Sequence, residues 1–97
     1  MGAYLIADVN LHLKDPVVYE EYRKVVPALI QKHGGRYLVR GGTYEVLEGD
    51  WKPGRLIVLE FPSMEHARGF YESEEYRAIK PLRADNARSN LVLVEGL

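Results

Sequence analysis

The chain has no cysteine. Disulfides and thiolate chemistry are therefore excluded, and a reducing compartment, the cytoplasm, is the expectation. No stretch approaches the roughly 18 apolar residues that would span a bilayer, so no membrane partner is expected. The opening "MGAYLIADVNL" carries no basic leader, and no signal peptide is predicted. Charge of one sign is also missing: thirteen Lys and Arg stand against fourteen Asp and Glu, a net charge of −1. Bulk electrostatics then supplies no affinity for nucleic acid or an anionic membrane. Metal-ligand spacing is absent too. The three histidines, His12, His33 and His66, do not recur at ligand intervals, so neither metal nor haem is expected; His12, just after the first strand, comes nearest to such a role.

What is present is an ordinary globular composition, 46% hydrophobic and 28% charged, in 97 residues. That length predicts one domain over residues 1–97 with a modest core. "AYLIADVNL" reads as a strand over residues 3–11. Asp15-Pro16 is a helix start, an N-cap oxygen followed by a proline where no donor is lost. Val18, Tyr22, Val25 and Leu29 recur at helical spacing, Pro27 predicts a kink, and His33-Gly34-Gly35 ends the helix. "RYLVRGGTYEVLE" is strand-like with a bulge expected at Gly41-Gly42, "GDWKPG" is a turn, and "RLIVLEF" is the plainest strand. Ser63 and Ser73 each cap a helix, the second weakened near its end by Pro81. After the polar loop "RADNARSN" comes a last strand, "LVLVEG". The order is β-α-β-β-α-β, a ferredoxin-like α+β sheet whose open edges favour pairing as a homodimer.

Strand alternation sorts the side chains. Leu5, Ala7, Val9, Tyr37, Val39, Ile57, Leu59, Phe61, Val92 and Val94 form an apolar set for the face under the helices. The other face carries Tyr4, Ile6, Asp8, Arg36, Leu38, Arg40, Leu56, Val58, Glu60, Leu91, Leu93 and Glu95. That mixture suits a partly enclosed cavity between two sheets. With the first and third strands read as parallel, Asp8 and Glu60 share one end. Folding the hairpin sets Thr43 near Glu60 and brings Arg40 to the same level, with Arg83 and Arg88 flanking the mouth.

"GGRYLVRGG", "LEGDWKPGRLIVLEFPS" and "YESEEYRAIKPLR", within a likeness that covers nearly the whole chain, resemble the DUF1330 domain. The resemblance implies membership of the dimeric α+β barrel superfamily, in which two ferredoxin-like sheets close into one barrel, and hence a homodimer. Wider relatives include cofactor-free monooxygenases, muconolactone-type isomerases and haem-dependent enzymes. No catalytic residue set transfers from them to matching positions here, since a fold alone carries no activity.

Three functional classes follow. Arg40 could clamp the carboxylate of a small anionic ligand, with Asp8, Glu60, Arg83, Arg88 and His12 as further binding candidates. A desolvated Asp8 or Glu60 could serve as general base of a cofactor-free enzyme with isomerase- or monooxygenase-like proton transfer. Alternatively the charges form an internal ion-pair network in a structural dimer. On its exposed face the third strand offers Leu56, Val58 and Glu60, and the first offers only Tyr4, where an RNA-recognition sheet would need aromatics, so no nucleic-acid partner is expected. Tyr22, Tyr71 and Tyr76 read as packing residues.

Overall fold

A computed structural model describes residues 2–10 and 15–97. Its elements run β1 (Ala3–Asn10), α1 (Pro16–Lys32), β2 (Arg36–Arg40), β3 (Arg55–Phe61), α2 (Met64–Glu72), α3 (Glu74–Ala84) and β4 (Arg88–Glu95). Each helix starts where a side-chain oxygen can satisfy amides that lack an intrahelical partner. Asp15 accepts from the Val17 and Val18 amides at 3.1 and 3.3 Å. Ser63 accepts from the His66 amide, and Ser73 from the Tyr76 amide at 3.1 Å. The Ser73 hydroxyl also donates to the Phe70 carbonyl, so one residue closes α2 and opens α3. The helix α1 runs without interruption through Pro27, and α3 continues past Pro81 to Ala84.

The end of α1 needs both of its glycines. Gly34 takes a φ of +81°, the left-handed conformation that closes a helix. At Gly35 a Cβ would lie 2.5 Å from the Phe61 ring, so only glycine lets the chain pass this close.

The four strands form one sheet in the order β2-β3-β1-β4. Every neighbouring pair is antiparallel, including β1 and β3. The expected parallel pairing of the first and third strands is therefore corrected. A helix crossover makes β1 and β2 parallel to each other, so a strand inserted between them and hairpin-linked to one must oppose both.

Two registers also differ from simple alternation. In β2, Tyr37 faces Leu59 while Val39 faces Val58, so Leu38 is an extra residue and the bulge falls there instead of at Gly41-Gly42. In β4, Leu91 lies opposite Ala7 and Leu93 opposite Leu5. Leu91 and Leu93 therefore join the helix side, and Val92 and Val94 turn to the open face. The strand is apolar at both parities, and only its pairing to β1 decides which side is buried. β2 is also shorter than expected, ending at Arg40 instead of running on through Glu48.

The helices cover one face, and the core lies between the two layers. Ala3, Leu5, Ala7, Val9, Leu59 and Phe61 from the sheet meet Tyr22, Val26, Ile30, Ala67, Phe70 and Tyr76 from the helices. Phe61 stacks on Phe70 at 5.5 Å between centroids, and Phe70 meets Tyr76 at 4.7 Å. Burying each such ring contributes about 1.5–3 kcal/mol. Among the described residues, no helix is long and apolar enough to cross a membrane.

Candidate functional site

The expected charged cluster is not assembled. Antiparallel pairing sets Glu60 opposite Tyr4 and Asp8 opposite Leu56, four positions apart along β3, so the two carboxylates occupy opposite ends of the sheet. The bulge at Leu38 turns Arg40 onto the helix side, opposite Ile57, away from both.

Each carboxylate has local work. Asp8 accepts from the Trp51 indole at 2.8 Å and from the Gly54 amide at 2.7 Å. It therefore clasps the long connection between β2 and β3 against the central strand. Glu60 accepts from Arg36 at 2.7 Å, an edge pair in which Arg36 is 71% exposed. Such a solvated pair contributes no more than about 1 kcal/mol. Thr43 lies not beside Glu60 but in the connection near Asn10, Gly54 and Arg55. Arg88 is exposed at the start of β4, opposite Asn10. His12 lies outside the described residues.

Arg83 is placed quite differently from the mouth position expected of it. It is only 5% exposed, held in the layer between α1 and α3. Its Nε donates to the Tyr76 hydroxyl at 3.4 Å, and the Tyr76 and Tyr22 hydroxyls are 2.8 Å apart. Burial opposes the Arg83 charge, while the Tyr76 and Tyr22 oxygens support it, leaving a net shift above the ordinary arginine value. Burial first, then the neighbouring Tyr76, pushes the Tyr22 phenol well above the usual tyrosine range.

This triad lies at one part of a cavity of about 50 Å³ between the sheet and the helices, room for a few waters or a small polar group. A second set of polar groups surrounds Tyr37. The Arg40 guanidinium sits 4.6 Å over the Tyr37 ring, and Arg55 and Arg23 line the same cavity. Burial raises the Tyr37 phenol against the opposing pull of the Arg40 and Arg55 charges.

The lining is one-sided. Four arginines and four tyrosines reach it, with aliphatic side chains between, and no Asp, Glu or His among the described residues does. Arg23 reaches Glu20 at 3.5 Å, yet its buried Nε has no hydrogen-bond partner. Among the described residues, no carboxylate lies within ion-pair distance of Arg40, Arg55 or Arg83. Arginine side chains have donors only. The Tyr22–Tyr76 contact consumes one hydroxyl hydrogen and leaves the other to donate. Such a lining fits a ligand rich in acceptors. No group of three His, Asp or Glu side chains among the described residues is arranged to hold a metal ion.

Sequence reasoning passed over Tyr22, Tyr76, Arg23 and Arg55 as site residues. Two signals were available. Arg55 shares strand parity with Ile57, Leu59 and Phe61, and Arg83 lies seven residues after Tyr76, on the stripe that α3 buries. A cation in phase with an apolar set is the mark of a charge turned inward.

A family model described as "Domain of unknown function (DUF1330)" matches residues 2–97. No curated protein matches the chain. Among solved structures, a protein of unknown function from Rhodopseudomonas palustris superposes with a TM-score of 0.76 at 17% identity, covering 99% of this chain and 82% of that one. SnoaB, a cofactor-independent oxygenase from Streptomyces nogalater, gives 0.66 at 10% identity over 99% and 93% of the two chains. A dimeric protein of unknown function with a ferredoxin-like fold, from Bacteroides fragilis, gives 0.62 at 15% identity over 98% and 96%. At these identities the likeness is one of fold.

Proposed function

The chain belongs to the DUF1330 family, and from that premise we propose that it binds a small organic anion in the cavity between its sheet and its helices. The observation that carries this reading is Arg83, a guanidinium 5% exposed with no carboxylate beside it among the described residues. A buried charge is costly unless paired, and a ligand carboxylate would complete the pair. The Tyr22 and Tyr76 hydroxyls supply a further donor at the same place.

Binding is favoured over proton-transfer chemistry by the same lining. Arginine and a tyrosine with a raised pKa hold their protons at neutral pH, so neither supplies a general base. Asp8 and Glu60, the carboxylates proposed for that role, are engaged elsewhere.

The binding unit is a homodimer in this reading. The sheet face away from the helices exposes Leu38, Val39, Val92 and Val94 at 39–56%. Ile6 and Val58 lie between them, opposite one another in the sheet. A second copy packed face to face would cover this patch and close the two sheets into a barrel. Titration calorimetry of the protein with small carboxylates, beside the Arg83→Met variant, tests the binding. Saturable binding that the variant loses supports it, and no heat with any carboxylate refutes it.

A further inference from the structure

Resting on that anion-binding reading, we infer that the ligand is a short monocarboxylate, formate to propionate in size, and that Ala7 and Ile57 set this limit. Volume fixes the scale. A buried water, a single non-hydrogen atom, takes about 10–15 Å³ of cavity space. The cavity of about 50 Å³ therefore admits about three to five non-hydrogen atoms, the span from formate to propionate. Interiors are packed to crystal density, so a longer acid must push side chains out of their rotamers to enter.

Charge fixes the number of acid groups. Arg83 is the only buried cation among the described residues, whereas Arg40 is exposed and screened by solvent. One carboxylate is what the closed part of the cavity calls for. The helices α1 and α3 bring Tyr22, Tyr76 and Arg83 to its wall, and these donors answer that carboxylate. The middle of the sheet brings aliphatic side chains, which suit a short hydrocarbon end. Here Ala7 pairs with Ile57 on one side and with Leu91 on the other, and all three line the cavity. A methyl set between two branched side chains leaves space that a larger residue would fill. Ala7 thus makes the room, and Ile57 beside it sets how far a ligand extends.

The test is an NMR titration of the whole chain with formate, acetate, propionate, butyrate, pentanoate and hexanoate, at fixed protein concentration. An acid of four non-hydrogen atoms reaches a Kd no tighter than about 40 µM, so millimolar ligand is used. In an apolar site with room to spare, each added methylene tightens binding about fourfold. Here affinity should peak no later than propionate and fall at least about tenfold by pentanoate. Ile57→Ala, which shortens the wall side chain to a methyl, should move the peak to a longer acid. Ala7→Val, which fills the space, should weaken acetate at least about tenfold while circular dichroism shows a folded protein. If either variant does not fold, Ile57→Val removes a single methyl and should move the peak in the same direction by less. Affinity that is flat or rises with chain length to hexanoate overturns the inference and leaves the anion-binding reading standing. So does a peak that stays in place in a folded Ile57 variant, or acetate binding unchanged in a folded Ala7→Val. No binding by any of the acids overturns both.

Discussion

Replacing Arg83 by methionine separates a ligand clamp from a structural charge, because the two roles move stability in opposite ways. Methionine keeps much of the aliphatic stem and removes the guanidinium. In the free protein the loss is small: one donor to the Tyr76 hydroxyl at 3.4 Å, while the stronger Tyr22–Tyr76 contact at 2.8 Å remains. That weak bond is worth about 0.5–1.5 kcal/mol. Against it stands relief from burying a charge that lacks a carboxylate partner among the described residues, a change that is often neutral or stabilising by about 1–4 kcal/mol. The unliganded variant should therefore be as stable as the parent or up to about 3 kcal/mol more so. For a domain of this size each kcal/mol moves Tm by about 4–8 °C. With a bound carboxylate the order reverses. Loss of a charge-assisted contact of about 1.5–3 kcal/mol should weaken binding roughly tenfold to over a hundredfold. The ligand-induced rise in Tm should shrink accordingly, since stabilisation follows ligand concentration over Kd. Differential scanning calorimetry with and without saturating ligand, at one protein concentration, reads both effects. An unliganded variant several kcal/mol less stable than the parent, with its ligand response intact, would refute the reasoning and make Arg83 a structural strut.

Three further outcomes follow from the geometry. Val92→Asp places a charge in the exposed apolar patch of the open sheet face; it should weaken a face-to-face dimer by at least about 3 kcal/mol, or more than a hundredfold, while leaving the protomer folded. Sedimentation checks this, and a parent protein that is already monomeric at micromolar concentration removes the dimer altogether. Asp8→Asn keeps an acceptor for only one of the Trp51 and Gly54 donors; it should cost about 1.5–3 kcal/mol and shift the Trp51 emission, and an unchanged Tm and spectrum would contradict the clasp. The third outcome concerns alkaline pH. The Tyr22 and Tyr37 phenols have folded pKa values above their unfolded ones, so the folded form holds those protons more tightly. Their contribution is complete below about pH 10 and is lost as pH rises towards the folded values. Urea midpoints should fall from about pH 10 upward, and Tyr22→Phe should flatten that fall; a parallel decline in both proteins would assign it to other groups.

The local structure was open to reading because its causes are local. Asp15-Pro16, Ser63 and Ser73 start helices through bonds that span two or three residues, and Gly34 ends one by its own backbone freedom. Element order and the ferredoxin-like class followed from those boundaries. What failed were the inferences that needed the direction or the register of one strand against another. Asp8 and Glu60 share a strand face by parity, yet strand direction separates them. Arg40 looked coplanar with Arg36 until one inserted residue at Leu38 reversed it. Leu91 and Val92 are equally apolar, so no pattern within β4 could rank them for burial.

The amino-acid order by itself determined which segments form helices and strands, which termini are capped, and that cations stand in phase with apolar stripes at Arg55 and Arg83. Tertiary structure alone decided that these cations meet in one cavity while the carboxylates remain outside it. The physical reason is that a side chain's face depends on pairing register and strand direction. Both are set by hydrogen bonds between segments far apart in the chain, where a single bulged residue inverts everything that follows it.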